Sequence, residues 1–156
     1  MSENTKANEL PLVGYMIVTA IFAGVMLYCM WWIANFFLFV DVSPSSILPV
    51  RATFFNDEIV PFLTVVYFII ASFLLIVLAY FTTRKVIEVW PGLIVGFVLW
   101  SVFFLWLNAW FPEIKPVAAL QPTTIVTSLS LFLIYGIFIN YSMAYEWAIR
   151  KQDQSR

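Results

Sequence analysis

The run IVPFLTVVYFIIASFLLIVLAYF, residues 59–81, decides the fold class of this chain, and it contains no charged residue. About sixteen of its residues are Ile, Leu, Val or Phe, each worth roughly −0.3 to −0.6 kcal/mol in a bilayer, so insertion is favourable by about 5 to 10 kcal/mol. The run also exceeds the roughly 20 residues that a helix needs to cross about 30 Å of hydrocarbon. We therefore predict a transmembrane helix here.

Three further runs lack Asp, Glu, Lys and Arg, at residues 10–40, 89–112 and 116–145. The whole chain of 156 residues is 63% hydrophobic and 11% charged, whereas soluble domains carry about 25% charged residues. A soluble core of this size could not bury so much apolar surface. The sequence predicts an all-α, polytopic integral membrane protein whose four transmembrane helices form an antiparallel bundle. It is expected to be one membrane domain, residues 1–156, with spans at about 12–38, 59–82, 91–111 and 122–146.

Positive charges are distributed unevenly between the two sides of such a chain. The two tails and the connection between the second and third spans carry six of them, and the other two connections carry two: Lys6, Arg84, Lys85, Arg150, Lys151 and Arg156 against Arg51 and Lys115. By the positive-inside rule, both termini are predicted to be cytoplasmic, in a multi-pass protein of the cell membrane. The first span is expected to remain as an uncleaved helix, because its apolar run is about twice as long as that of a signal peptide.

Most tryptophans lie near predicted helix ends, where indoles commonly sit at the level of the lipid headgroups. Trp90 and Trp110 bracket the third span, and headgroup positions are likewise predicted for Trp31, Trp32 and Trp147. Trp100 is the exception: it should lie in mid-bilayer, against lipid or a neighbouring helix.

The segment WPGLIVG, residues 90–96, introduces a pair of glycines four residues apart. Such pairs allow two membrane helices to approach closely. Steps of four residues define one ridge on the third span and another on the fourth: Gly92, Gly96, Trp100, Phe104 and Asn108, and Thr124, Ser128, Phe132, Gly136 and Asn140. We expect the two ridges to face each other, with Asn108 bonded to the hydroxyls opposite. Contact within one chain is favoured, and contact between two copies remains the alternative. Ala20 and Gly24 form a similar small pair in the first span.

Residues that usually carry chemistry are scarce. The chain has no histidine and a single cysteine, Cys29, so an intrachain disulfide, a thiolate metal site or a CxxC redox pair is not expected. The four runs hold no ionisable residue of the kind that proton relays use, and Ser101 and Ser128 have no base nearby. We predict no catalytic, cofactor-binding or metal-binding residue and no enzymatic activity. The net charge of −1 disfavours a nucleic-acid partner.

A few polar side chains remain at or near membrane depth. For Asn35, Asn108 and Asn140 we expect hydrogen bonds between helices, with substrate contact as the alternative. For the fourth-span tyrosines, helix packing and anchoring at the interface are favoured over a pocket lining: Tyr135, Tyr141 and Tyr145. Three carboxylates at span boundaries are expected to be interfacial end charges: Glu88, Glu113 and Glu146.

Short motifs in the second half of the chain suggest a family. They are Trp90-Pro91-Gly92, Leu107-Asn108, Phe111-Pro112, Thr123-Thr124, Tyr135-Gly136 and Tyr141-Ser142. In these motifs the chain resembles the YqhR-type conserved membrane proteins of spore-forming Gram-positive bacteria, over about Val13 to Trp147. The resemblance implies a protein of the cytoplasmic membrane, and it implies no activity, cofactor or catalytic residue.

Two functional hypotheses follow. The leading one is a non-enzymatic accessory or interaction subunit that acts through helix–helix contacts, and its partners are the lipid bilayer and a membrane protein of unknown identity. The alternative is a small transporter or lipid-handling protein with an uncharged polar route. A transporter should contain a polar cavity lined by the asparagines and the fourth-span tyrosines. An interaction subunit should have a packed centre and a small-residue face turned outward.

Overall fold

The computed structural model describes residues 11–48, 58–82, 89–106 and 114–154. Four long helices account for most of these ranges: α1 (Leu12–Phe36), α2 (Val60–Thr82), α3 (Val89–Ser101, continued by a π-helical turn over Val102–Trp106) and α4 (Pro122–Gln154). Short 3₁₀ helices lie at Pro44–Ile47 and Val117–Ala119. The described ranges contain no strand, and all four helices are long and apolar enough to cross a bilayer. The predicted fold class is therefore confirmed.

The helix bounds differ from the predicted spans at several ends. Helix α4 continues past the expected end at 146 to Gln154. Its last part is polar, and Arg150 Nε donates to Glu146 Oε1 at 2.7 Å, a pairing that supports a helix at this spacing. Helix α3 begins at Val89, before the expected start at 91, and the expected end at 111 lies outside the described residues.

Helix α1 ends in a left-handed turn. Leu38 has φ of 58°, its N–H donates to Asn35 O at 3.0 Å, and Phe39 N–H donates to Ala34 O at 2.9 Å. These are the two hydrogen bonds of a Schellman motif, whose left-handed residue is usually glycine. The turn also brings Val40 O within 2.9 Å of Asn35 Nδ2. The expected interhelical bond of Asn35 is therefore wrong: its amide donates to the chain that returns after α1.

Helix α4 is central to the bundle. It packs against α3 along much of its length and also contacts α1 and α2, while α1 and α2 pack closely on each other. Within the described residues, α2 and α3 share few contacts. Tyr15 OH, near the start of α1, donates to Ser142 O in the second half of α4 at 3.3 Å. At the opposite end, Asp41 N–H donates to Thr124 Oγ1 at 3.2 Å. Helices α1 and α4 therefore run antiparallel.

The centre of the bundle is filled by aromatic rings around Trp31, whose side chain is 0% exposed. The centroids of the Phe103, Phe104 and Phe132 rings lie 6.4, 6.4 and 6.0 Å from that of Trp31. Its indole N–H donates to Val42 O at 2.9 Å, so the connection after α1 folds back over the bundle. Trp31 therefore belongs to the core and not to the outer surface of the bundle, while its position at the level of the headgroups stays a prediction.

Candidate functional site

The contact between α3 and α4 is built on glycines. A Cβ atom placed on Gly136 would lie 2.5 Å from Gly92 O and 2.6 Å from Gly96 Cα, and one placed on Gly96 would lie 2.7 Å from Leu133 Cα. The two backbones thus touch directly, as small residues allow in membrane helices. The predicted facing of the two ridges is confirmed, and the seam joins two parts of one chain.

A side-chain hydrogen bond fixes the register of this seam. Trp100 Nε1 donates to Ser128 Oγ at 3.0 Å, and both groups are buried. Trp100 was expected to lie against lipid or against a neighbouring helix, and in the structure it lies against the neighbouring helix α4. Asn108, the expected partner of the hydroxyls, lies outside the described residues. Thr124 Oγ1 accepts from Asp41 N–H instead, and Asn140 is buried within the ridge.

The small pair of the first span forms a second seam. A Cβ atom on Gly24 would lie 2.7 Å from Ile69 Cα of α2, and Ala20 is buried. These small residues, like those of α3 and α4, face other helices of the same chain. The outward small-residue face expected of an interaction subunit is not found at these positions.

A cavity of about 330 Å³ lies between α2 and α3, with α4 behind it. We call it the lateral cavity. Leu74 of α2 and Val102 of α3 line it and are also 64% and 38% exposed, so it opens sideways, where a bilayer would surround the helices. The other lining residues are almost all apolar and include Ala71, Leu75, Leu99, Phe132 and Tyr135.

Tyr135 joins α2 to α4 beside this cavity. Its ring lines the cavity, and its hydroxyl lies 2.7 Å from Ser72 Oγ. Ser72 Oγ donates its proton to Phe68 O at 2.6 Å, so Tyr135 is the donor of the pair. Tyr135 therefore both packs between helices and lines a pocket. Tyr141 and Tyr145 are exposed, with their rings stacked at 6.4 Å.

The regular α-helix of α3 changes at the edge of the cavity. The π-helical turn begins at Val102, and Val102 and Phe103 both line the cavity. Just before it, Ser101 Oγ donates to Phe97 O at 2.9 Å, a type of side-chain bond that often bends helices. Such π-helical turns are rare and frequently lie at functional sites.

Exposed aromatic rings form a second surface feature at the end of α1. We call Trp32, Phe36, Phe37 and Phe39 the aromatic end patch; each side chain is more than half exposed. Successive rings pack on one another with centroids 5.6, 5.4 and 6.2 Å apart. The sequence signal for this patch is the run Asn35-Phe-Phe-Leu-Phe, but nothing in that run indicated that the rings pack together.

Few of the residues considered for chemistry are brought together. Glu146 pairs with Arg150, consistent with an end charge, and Glu88 and Glu113 lie outside the described residues. Lys151 Nζ lies 5.0 Å from the Trp147 ring centroid. Cys29 is exposed on α1. Across the described ranges, no three His, Cys, Asp or Glu residues lie close enough to hold a metal ion.

The complete chain, residues 1–156, matches the model of a protein family described as Conserved membrane protein YqhR. The chain belongs to the YqhR family. A curated relative from Bacillus subtilis (strain 168), described as Uncharacterized protein YqhR, is 27% identical over 152 residues, which cover 93% of this chain and 85% of the relative. No solved structure matches this chain. The resemblance based on the motifs is confirmed, and this YqhR family member is a membrane protein with four candidate spans.

Proposed function

We propose that this YqhR family member is a non-enzymatic accessory subunit of the cell membrane, which binds another membrane protein through its helix surface. The observation that carries the proposal is the filled interior. Trp31 is fully buried among Phe103, Phe104 and Phe132. Close-packed rings of this kind fill space as a protein core does, and this supports a functional surface on the outside of the bundle.

The aromatic end patch is the outer surface that best fits a partner. Aromatic side chains are enriched in protein interfaces, where they supply large contact areas. In this patch the left-handed turn at Leu38 holds Phe36, Phe37 and Phe39 at the end of α1. Rings held by a defined turn lose little freedom on binding, because their positions are already set.

The transporter alternative finds less support in the geometry. The lateral cavity is lined almost entirely by apolar side chains. The amide of Asn35 is used within its own turn, and the hydroxyl of Tyr135 is bonded to Ser72. The cavity lining thus carries only two hydroxyls, those of Tyr67 and Tyr135, which are too few to form a polar route across the membrane.

Site-specific photocrosslinking in living cells tests the proposed partner surface. Phe37 is replaced by p-benzoylphenylalanine, the cells are irradiated, and adducts are identified by mass spectrometry. The matched control carries the same photoreactive residue at Phe81, which is 61% exposed against 60% for Phe37 and also lies near a helix end, that of α2.

We expect one defined membrane protein to crosslink at Phe37 and only lipid adducts at Phe81. The same protein should be lost from the adducts when Phe36→Ala and Phe39→Ala are added, because they remove neighbouring contact area. Lipid adducts alone at both positions would mean that the patch anchors the helix at the headgroups, and the partner proposal would then be rejected.

A further inference from the structure

We propose that the lateral cavity binds one acyl chain of a membrane phospholipid. The cavity is bordered by the middle of α2, from Tyr67 to Leu75, so it lies at the depth of the hydrocarbon. Because α2 and α3 share few contacts, its opening faces the bilayer rather than another helix of the chain. This site is independent of the proposed partner contact, which involves other residues at the end of α1.

The chemistry of the walls selects a hydrocarbon chain and excludes a headgroup. Leu75, Leu99 and Val102 offer only apolar surface, and the lining carries two hydroxyls, those of Tyr67 and Tyr135. The Tyr135 hydroxyl is already hydrogen-bonded to Ser72 behind the wall. A charged group placed here would lose its hydration and gain at most the hydroxyl of Tyr67 in return, which leaves a cost of several kcal/mol. A phospholipid avoids this penalty, because its headgroup stays at the membrane surface while its chain reaches this depth.

The size of the cavity distinguishes a single chain from a helix. Its volume of about 330 Å³ is at the lower end of the range for small-ligand pockets, roughly 300 to 1,000 Å³. A helix with its side chains is about 10 to 12 Å across, so a helix of a second copy could cover the opening but could not enter it. A flexible acyl chain can enter and contact all the walls.

Two structural features maintain the cavity against collapse. The Tyr135–Ser72 hydrogen bond holds α2 against α4 at its back, and the π-helical turn changes the course of α3 at its edge. An empty space of this size would leave its lining without van der Waals partners. A bound chain restores these contacts, so occupancy should stabilise the arrangement of α2 and α3.

Photolabelling in vesicles tests the site. The purified full-length protein is reconstituted into phosphatidylcholine and phosphatidylglycerol vesicles that contain a variable fraction of phosphatidylcholine with a diazirine in the middle of one acyl chain. Adducts are mapped by mass spectrometry. Leu99→Trp fills the cavity, and Ile94→Trp adds the same volume on the outer face of α3, where Ile94 is 62% exposed. Ala71→Leu is a milder filling variant for use if Leu99→Trp does not fold.

We expect adducts on Leu75, Val102 and Phe103 that rise with the labelled fraction, because labelled and unlabelled acyl chains compete equally for the cavity. Adducts on Ile70 and Ile94, which face lipid, should also rise in proportion to the labelled fraction. Leu99→Trp or Ala71→Leu should lower the cavity adducts several-fold, and Ile94→Trp should leave them unchanged. The proposal is overturned if Leu99→Trp and Ala71→Leu leave the cavity adducts as high as Ile94→Trp does, as ordinary boundary lipid would give. It is also overturned if the cavity residues crosslink to a second copy of the chain.

Discussion

At the scale of single residues, Trp31 and Trp32 are sequence neighbours in opposite environments. Trp31 is buried in the aromatic centre and donates to Val42 O, whereas Trp32 is 52% exposed and stacks on Phe36. We expect Trp31→Phe to lower the free energy of unfolding by about 1–3 kcal/mol, because Val42 O loses its donor and a cavity remains. Trp32→Phe should change it by no more than about 0.5 kcal/mol. Titration with a denaturing detergent in mixed micelles measures both values, and equal losses would contradict the assigned environments.

Leu38 provides a second test at this scale, because it is 79% exposed and has a left-handed backbone. That conformation costs a non-glycine residue about 1–2 kcal/mol, and it is worse for β-branched residues. Leu38→Gly should therefore raise the free energy of unfolding by up to about 1 kcal/mol, and Leu38→Val should lower it. The same titration distinguishes them. If Val is tolerated as well as Gly, the turn is not left-handed in the membrane.

The environment of individual aromatic residues could not be predicted from the sequence. In a soluble protein, polar residues mark the outer face of a helix, but lipid-facing and core-facing positions are both apolar here. The residues around Trp31 and those around Trp32 are therefore equally apolar, and the sequence does not show which of the two tryptophans faces the core. Asn35 was misassigned for a related reason: the left-handed turn at Leu38, which brings Val40 O to its amide, lacks the glycine that usually signals it.

At the scale of helices, the α3–α4 seam depends on the absence of side chains. Gly136→Leu would force a side chain against the carbonyl oxygen of Gly92 and the Cα of Gly96. Overpacking of this kind costs about 1–3 kcal/mol, and we expect at least that loss in free energy of unfolding, because the obstacles are backbone atoms. Ser130→Leu, on the exposed face of α4, is the matched control and should be close to neutral. Similar losses for both variants would show that the seam is not closely packed.

This seam was predictable because its signal is local. Small residues at steps of four mark a ridge on each helix, and two helices joined by a short connection are natural neighbours. The four helices themselves follow from length and hydropathy alone. The π-helical turn at Val102–Trp106 was not predictable, because its segment contains neither proline nor glycine and reads as a regular apolar helix.

At the scale of the whole molecule, the charge asymmetry predicts that both termini face the cytoplasm. To test it, Cys29 is replaced by serine, and a single cysteine is introduced at Ser45, in the connection after α1, or after Arg156. In intact cells, a membrane-impermeant maleimide should label the Ser45→Cys variant strongly and the C-terminal cysteine only after lysis. The reverse labelling would invert the topology. Equal labelling of both positions in intact cells would put Ser45 and the C-terminus on the same side of the membrane, so the chain would not cross it an even number of times.

The lateral cavity also belongs to this scale, and the sequence contains no signal for it. Its walls come from helices that are far apart in the chain and are held by contacts such as Tyr135–Ser72. Each lining residue is an ordinary apolar residue of a membrane helix. Only the separation of α2 from α3 turns these residues into a binding site.

The central place of α4 has a consequence for biogenesis. Among the described helices, α3 makes its main contacts with α4, which leaves the ribosome after the other three. A nascent chain that has delivered only three helices to the insertion machinery can close the α1–α2 pair, but the glycine face of α3, Gly92 and Gly96, has nothing to pack on. The packing of α3 thus waits until α4 has been synthesised, and products truncated before α4 should be recognised by membrane quality-control proteases through this uncovered helix.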